Sequence, residues 1–287
     1  MNDLDGRVAV ITGGGGTHSI GRATGKLFAE QGGRVVLADI NAKALEQTVA
    51  ELASAGLDVA GIPTDVAEYD SVHALADAVF ERYGRVDIAF LNAGIAGAGD
   101  LFAVDLDGWH RLLGVNLYGI LHGIKAFLPR MDAQATPGHI LGTSSGAGVV
   151  GLNYQAAAYA VTKQAVCTLM ECLYGQLRDR GSRIKAHVVL PPLTKTNLAG
   201  DPNVMLHVEQ ALKAGGADVV LAEPGEVAAT VLDAIRTGNF WAYHDHETDK
   251  RLYNGKFAAA IDWEDRMARA RADALLNRSA LDPYLWG

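Results

Sequence analysis

The chain has 287 residues, 49% hydrophobic and 20% charged, with 33 glycines against 8 prolines. That apolar content excludes a wholly disordered chain and is enough for one large core or two small ones. With 25 Lys+Arg against 33 Asp+Glu the formal charge is −8, so there is no general electrostatic reason to bind nucleic acid or an anionic membrane.

The predicted elements alternate. A first strand, Arg7–Thr12, leads through a glycine cluster to a helix from about Gly21 to Gln31. Strand Arg34–Asp39 precedes a helix from Ala42 to about Ala55, and strand Val59–Pro63 precedes one from Ala67 to Tyr83. Strand Val86–Leu91 is followed by a long amphipathic stretch from Asp105, a plausible N-cap, to Met131. Strand His139–Thr143, a helix running to about Arg180 and strand Ile184–Leu190 complete the alternation. Short strands apolar on both faces are the pattern of a parallel sheet covered by helices. The expected fold is therefore α/β, a single doubly wound, Rossmann-type parallel sheet with helices on both faces. One domain covers residues 1–245, and the more charged tail, 246–287, reads as a small helical extension packed on it.

Ala133 to Thr162 contains no Asp, Glu, Lys or Arg and is long enough to span a bilayer. Pro137, Ser144, Ser145, Asn153, Gln155 and five glycines would be expensive in lipid, so no membrane segment is expected. The acidic opening Met1-Asn2-Asp3-Leu4-Asp5 lacks the basic start of a signal peptide. Cys167 and Cys172 cannot build a disulfide framework or a zinc site alone, and they fit a reducing cytoplasm. No metal is expected: the histidines are scattered, and His244-Asp245-His246 reads as a surface turn.

Thr12-Gly-Gly-Gly-Gly-Thr-His-Ser-Ile-Gly21 lies between the first strand and the first helix. In that position a glycine-rich loop lets the backbone approach a pyrophosphate, whose charge is favoured at the helix N-terminus. Asp39 closes the second strand, 18 residues after Gly21. A carboxylate there can accept the ribose hydroxyls of NAD and repels the 2′-phosphate of NADP, so NAD is the better fit and NADP the lesser one. His18, in the loop, could meet a phosphate if protonated. Tyr159 and Lys163 are four apart on one face of a helix. A free phenol has a pKa of about 10 and is a poor base; a neighbouring lysine charge favours the phenolate. Thr143-Ser144-Ser145 ends a strand upstream and could supply a hydroxyl to polarise a carbonyl.

Together these residues resemble the short-chain dehydrogenase/reductase family over roughly residues 5 to 245. The matching pieces, in order, are Thr12-Gly13 with Ile20-Gly21, Asp39, Asp65-Val66, Asn92-Ala93-Gly94, Asn116, Ser144-Ser145, Tyr159-x-x-x-Lys163 and Pro191 through Thr196. The resemblance implies that Tyr159 exchanges a proton with the substrate oxygen while hydride moves to or from nicotinamide. Lys163 would hold the nicotinamide ribose and lower the tyrosine pKa. Ser145, the second serine of its pair, would hydrogen-bond the substrate oxygen. Asn116 would loosen its helix and anchor a water leading to Lys163. Gly13, Ser19, Ile20, Gly21, Asp39, Asp65, Val66, Asn92, Ala93, Gly94, Pro191, Thr194 and Thr196, with Tyr159 and Lys163, would bind the cofactor.

The chain departs from the family pattern in places. The glycine loop is two residues longer than usual, with Ser19 at the middle glycine, and Pro192 stands where glycine is usual. The longer loop is reminiscent of enoyl reductases, but those space tyrosine and lysine by seven positions, which favours carbonyl/alcohol chemistry here. By resemblance the substrate lid lies at about 193–223, where Leu198 and Met205 are among several apolar residues, and Leu152, Tyr154 and Gln155 would line the pocket. The runs Gly114–Gly119 and Lys195–Ala199 look like the branch containing bacterial dehydrogenases of aryl carbinols and related secondary alcohols. The expected activity is an NAD-dependent interconversion of a secondary alcohol and its ketone by a homodimer or homotetramer. The alternatives are a catalytically silent NAD-binding regulatory protein and an NAD-using lyase or epimerase.

Overall fold

The computed structural model describes residues 4–97, 101–102, 104–150, 156–199, 205–206, 209–210, 213–214 and 220–243, all within the compact unit Met1–His244. The expected helical extension at 246–287 lies outside the described residues, as does most of the expected lid.

Strands β1 (Val8–Thr12), β2 (Arg34–Asp39), β3 (Val59–Pro63), β4 (Ile88–Leu91), β5 (Gly138–Thr143), β6 (Ile184–Leu190) and β7 (Trp241–Tyr243) form one sheet in the order β3-β2-β1-β4-β5-β6-β7. Every pairing is parallel. Burial explains the composition of the strands: every residue of β1, β4 and β5 is buried, which leaves no polar face to alternate with an apolar one. Helices α1 (Ile20–Glu30), α2 (Ala42–Ser54), α3 (Tyr69–Tyr83), α4 (Leu106–Leu113), α5 (Gly119–Ala133), α6 (Gly146–Val150), α7 (Ala157–Asp179) and α8 (Pro224–Thr237) make the crossovers. Phe28 of α1 and Val231 and Ile235 of α8 join Ile11, Leu37 and Phe90 of the sheet in one apolar cluster.

The doubly wound sheet matches expectation, and three local features differ from it. Strand β7 was not anticipated; it is three residues long and pairs with Val188–Leu190 of β6. Helix α6 is separate from α7. The stretch after Asp105 is not one regular helix: α4 and α5 are joined by a π turn, Gly114–Tyr118. Asp105 does cap it, its side chain accepting from Gly108 N at 2.7 Å. Among the described residues one helical run, Leu106–Ala133, is long and apolar enough to cross a membrane by length and composition. Its apolar residues Ile120, Ile124, Phe127 and Met131 are buried within this fold.

Strand order reverses between β1 and β4. In an open α/β sheet the crevice beyond the carboxyl ends of the strands, at that reversal, is where ligands bind. The site residues lie there.

Candidate active site

The glycine loop is built around close contacts. Gly13 has φ +74°, and a Cβ on it would come 2.9 Å from Ala93 Cα. A Cβ on Gly21 would meet the Gly13 carbonyl oxygen at 2.4 Å, so any side chain there would push α1 off the loop. Ser19 is the N-cap of α1, accepting from Arg22 N at 3.1 Å and donating to the Gly16 carbonyl at 3.0 Å. The amides of Ile20 and Gly21, in the first turn, have no acceptor inside the helix. An anion at this helix end would take them, with the helix dipole in its favour.

Asp39, at the end of β2, faces the same loop. Its Oδ2 accepts from Gly15 N at 2.8 Å and its Oδ1 from Asn41 N at 2.9 Å. Asp65 and Val66 follow β3: Asp65 Oδ1 accepts from Ala67 N, and the Val66 carbonyl lies 3.0 Å from His122 Nδ1 on α5. After β4, Asn92 ties three strand ends together. Its Nδ2 donates to the Thr12 carbonyl at 3.0 Å, and its Oδ1 accepts from Thr143 Oγ1 at 3.1 Å. The amides of Asn92 and Ala93 both donate to Thr12 Oγ1. Gly94 leaves a gap that a side chain would fill: its Cβ would lie 3.3 Å from Asn116 Oδ1 and 3.4 Å from Lys163 Nζ.

Asn116 sits in the π turn, wholly buried. Its Oδ1 accepts from Ile95 N at 2.8 Å, while its Nδ2 donates to the Ile95 carbonyl and to Thr162 Oγ1. Ser145 follows β5 and accepts from Ala147 N at 3.3 Å. Tyr159 and Lys163 lie a turn apart on α7, with the ammonium 5.7 Å from the centre of the phenol ring. Burial pushes the Tyr159 phenol up from its ordinary range, and the hydrogen-bonded Ser145 side chain pulls the other way. The expected lowering is thus supplied here by Ser145, and it does not outweigh burial. Burial also lowers Lys163, to about 8, and the neighbouring Cys167 opposes that.

The segment after β6 completes the crevice. Pro191 follows Leu190 directly, Thr194 Oγ1 donates to the Pro192 carbonyl at 2.7 Å, and Thr194 and Thr196 are both buried. Asn197 N donates to the His18 carbonyl at 3.2 Å, so this segment touches the glycine loop. Leu198 is exposed and its carbonyl accepts from Ala96 N; Met205 is partly buried. Leu152, Tyr154 and Gln155 lie outside the described residues.

The structure therefore gathers Ser145, Tyr159, Lys163, Asn116, Asp39 and the glycine loop at the carboxyl ends of the strands, from positions spread over more than half the chain. Thr143 and Thr162 contact Lys163 and Asn116 and were not singled out individually from sequence. Their signal is weak, because threonine is ordinary at a strand end and in a helix. The residues fit a dinucleotide. A backbone cradle without side chains meets a helix N-terminus at one end, and at the other a glycine opens beside a buried amine.

The model of the short chain dehydrogenase family matches residues 7–205. An oxidoreductase of Listeria innocua is 36% identical over 195 residues, covering 68% of this chain and 77% of that one. The meso-2,3-butanediol dehydrogenase of Serratia marcescens is 33% identical over 230 residues, covering 79% and 86%. A crystal structure of a short chain dehydrogenase/reductase from Burkholderia phymatum in complex with NAD superposes with a TM-score of 0.79, at 32% identity, covering 88% of this chain and 93% of that one.

Proposed function

This chain belongs to the short-chain dehydrogenase/reductase family and is an oxidoreductase acting on CH–OH groups; from that premise we propose that it interconverts a secondary alcohol and its ketone with NAD. The observation that carries the reading is the meeting of Ser145, Tyr159 and Lys163 beside Asn116 at the strand reversal.

When bound, nicotinamide supplies the hydride acceptor or donor. Ser145 donates a hydrogen bond to the substrate oxygen, and Tyr159 exchanges the proton at that same oxygen. Burial keeps the Tyr159 phenol protonated at neutral pH, which suits it to protonate a carbonyl oxygen in the reductive direction. Alcohol oxidation requires the phenol to give up its proton first, so oxidation gains from alkaline pH. Lys163, lowered to about 8, is still mostly charged at neutral pH, and its amine, beside Gly94, would hold the nicotinamide ribose. Asn116 holds the π turn to Ile95 and α7 to the π turn through Thr162, which keeps the Lys163 amine facing the crevice. Asp39 would accept from the adenosine ribose hydroxyls, which would favour NAD over NADP.

The proposed substrate is hydrophobic, cyclic or aromatic. Leu193, Leu198 and Leu206 leave apolar surface exposed along the segment after β6, which is what such an alcohol would cover. The Serratia relative, named for a secondary alcohol, supports the reacting group. The proposal extends to a cytoplasmic homodimer or homotetramer: Cys167 and Cys172 are not joined in a disulfide, and Tyr118, Val161 and Tyr174 expose apolar surface on the π turn and α7.

The test is NADH formation, followed by absorbance, with aliphatic, cyclic and benzylic secondary alcohols and with NAD and NADP in parallel. Turnover with NAD should fall at least about 100-fold in Tyr159→Phe while NADH binding persists. Turnover retained in that variant would remove Tyr159 from the chemistry. NADH binding without net turnover of any alcohol would instead favour a silent binder, or a lyase or epimerase.

A further inference from the structure

Lys163 is 3% exposed and is held at both of its ends. Its Nζ donates to the Thr143 carbonyl at 2.9 Å, and its own main-chain carbonyl accepts from Ser144 Oγ at 2.7 Å. Ser144 Oγ in turn accepts from Cys167 Sγ at 3.2 Å, one turn further along α7. Two consecutive residues at the end of β5 thus grip the amine and the backbone of one lysine. Gly148 closes the far side: a Cβ there would come within 2.2 Å of Ser144 Oγ and 2.6 Å of the Lys163 carbonyl oxygen. Thr143 is itself fixed, since its hydroxyl donates to Asn92 Oδ1 and Asn92 is tied to Thr12.

We propose that Thr143 and Ser144 are positioning residues that form a two-point clamp on Lys163, fixing where its amine lies and how readily it keeps its proton. The inference rests on the reading above, in which that amine faces the cofactor. The Lys163 carbonyl lies inside α7, where the helix already supplies a donor. The Ser144 hydroxyl adds a second bond at the one residue whose amine the neighbouring Thr143 carbonyl also takes. A carbonyl accepting from an ammonium favours the charged form, against the burial that opposes it. The clamp therefore helps keep the amine charged in a buried site.

Few charges compete with it. Among the described residues, the titratable groups beside Lys163 are Tyr159 and Cys167, both on α7. The neighbours from other elements, Thr143 and Ser144 after β5, Asn116 in the π turn and Gly94 after β4, are uncharged. A shift in the Lys163 titration on altering the clamp consequently reports the clamp.

The experiment is a pH titration of 13C-labelled lysine ε-carbons by NMR on the whole chain without cofactor. The Lys163 signal is assigned by its loss in Lys163→Ala. Ser144→Ala and Thr143→Val, which removes the hydroxyl that orients the Thr143 carbonyl, should each lower the Lys163 midpoint by about 0.5–1 pH unit. Thr143→Ser, which keeps the hydroxyl, should restore it. NADH affinity, from fluorescence titration near pH 8, should fall about 3–10-fold in the first two variants. A folded variant of either kind with an unmoved Lys163 midpoint and a lower Tm would reduce the contacts to packing and overturn the clamp. If Ser144→Ala does not fold, Thr143→Val and Thr143→Ser decide the matter. If Lys163→Ala binds NADH as well as the wild type, the cofactor reading fails, while the NMR midpoints still judge the clamp.

Discussion

Each oxygen of the Asp39 carboxylate already holds a main-chain amide, Gly15 N in the glycine loop and Asn41 N at the start of α2. Asp39 therefore anchors the glycine loop, and in the proposed reading it is also the acceptor for the ribose. Asp39→Ala removes both. We expect NADH affinity to fall about tenfold, equivalent to the loss of one charge-assisted hydrogen bond, and the preference for NADH over NADPH to narrow. Fluorescence titration with the two reduced cofactors checks this, and an unchanged preference would mean that another residue reads the ribose. The place of Asp39 was legible because it closes a strand at a readable distance from the loop. The two serines after β5 were harder. They are adjacent and chemically alike, and the strand end sends Ser144 to the Lys163 carbonyl and Ser145 to Tyr159. Composition and spacing do not say which hydroxyl points which way; only the family resemblance singled out the second serine.

At the scale of elements, β5, β6 and the turn into β7 are joined by a pair of buried imidazoles that the chemistry does not use. His187 Nδ1 lies 2.6 Å from the Asn239 carbonyl, which can only accept, so that nitrogen carries the proton. His187 Nε2 is then the acceptor for His139 Nδ1 at 2.8 Å. Both rings are neutral, and burial lowers His139 to about 3 and His187 to about 4. In the unfolded chain both would titrate near 6.5. The unfolded state therefore binds protons that the native state refuses, and stability present above pH 6.5 is lost as the pH falls toward about 4 and then 3. Each ring contributes a slope of about 1.4 kcal/mol per pH unit in that window. His139→Gln, which can still donate to His187, should roughly halve the part of the slope due to the pair. Urea denaturation at a series of pH values measures it, and an unchanged slope would place the acid sensitivity elsewhere. Strand β7 was not legible, and the π turn only through the resemblance, which implied that Asn116 loosens its helix. Three residues give β7 no periodicity to read, and the π turn depends on Asn116 finding Ile95, 21 residues earlier in a loop after another strand.

Across the whole molecule the two ends of the sheet are built differently. The carboxyl ends of β1, β2, β4 and β5 carry the glycine loop, Asp39, Asn92 and the Ser145–Tyr159–Lys163 group. The opposite ends of β1 and β4 meet at Asp87, a fully buried carboxylate just before β4. Its Oδ2 accepts from Val8 N and Arg85 Nε, both at 2.9 Å, and its Oδ1 pairs with Arg7 and Arg85. Its main chain also bridges β1 and β5, donating to the Val8 carbonyl and accepting from His139 N. Removing a buried carboxylate with this many donors is costly, because two guanidinium groups and an amide would lose their acceptor. Asp87→Ala should cost about 1–3 kcal/mol of stability, the range for leaving buried donors without their acceptor, since Arg7 and Arg85 still reach solvent. The crevice lies at the other end of the same strands, so the folded fraction should keep wild-type NADH affinity. Tyr159→Phe should behave in the opposite way, losing turnover with little change in Tm. Measuring Tm and NADH binding for both variants separates the two ends. A loss of NADH affinity in Asp87→Ala beyond its unfolded fraction would show that the strand ends are coupled through the sheet and that stability and site are not divided between them.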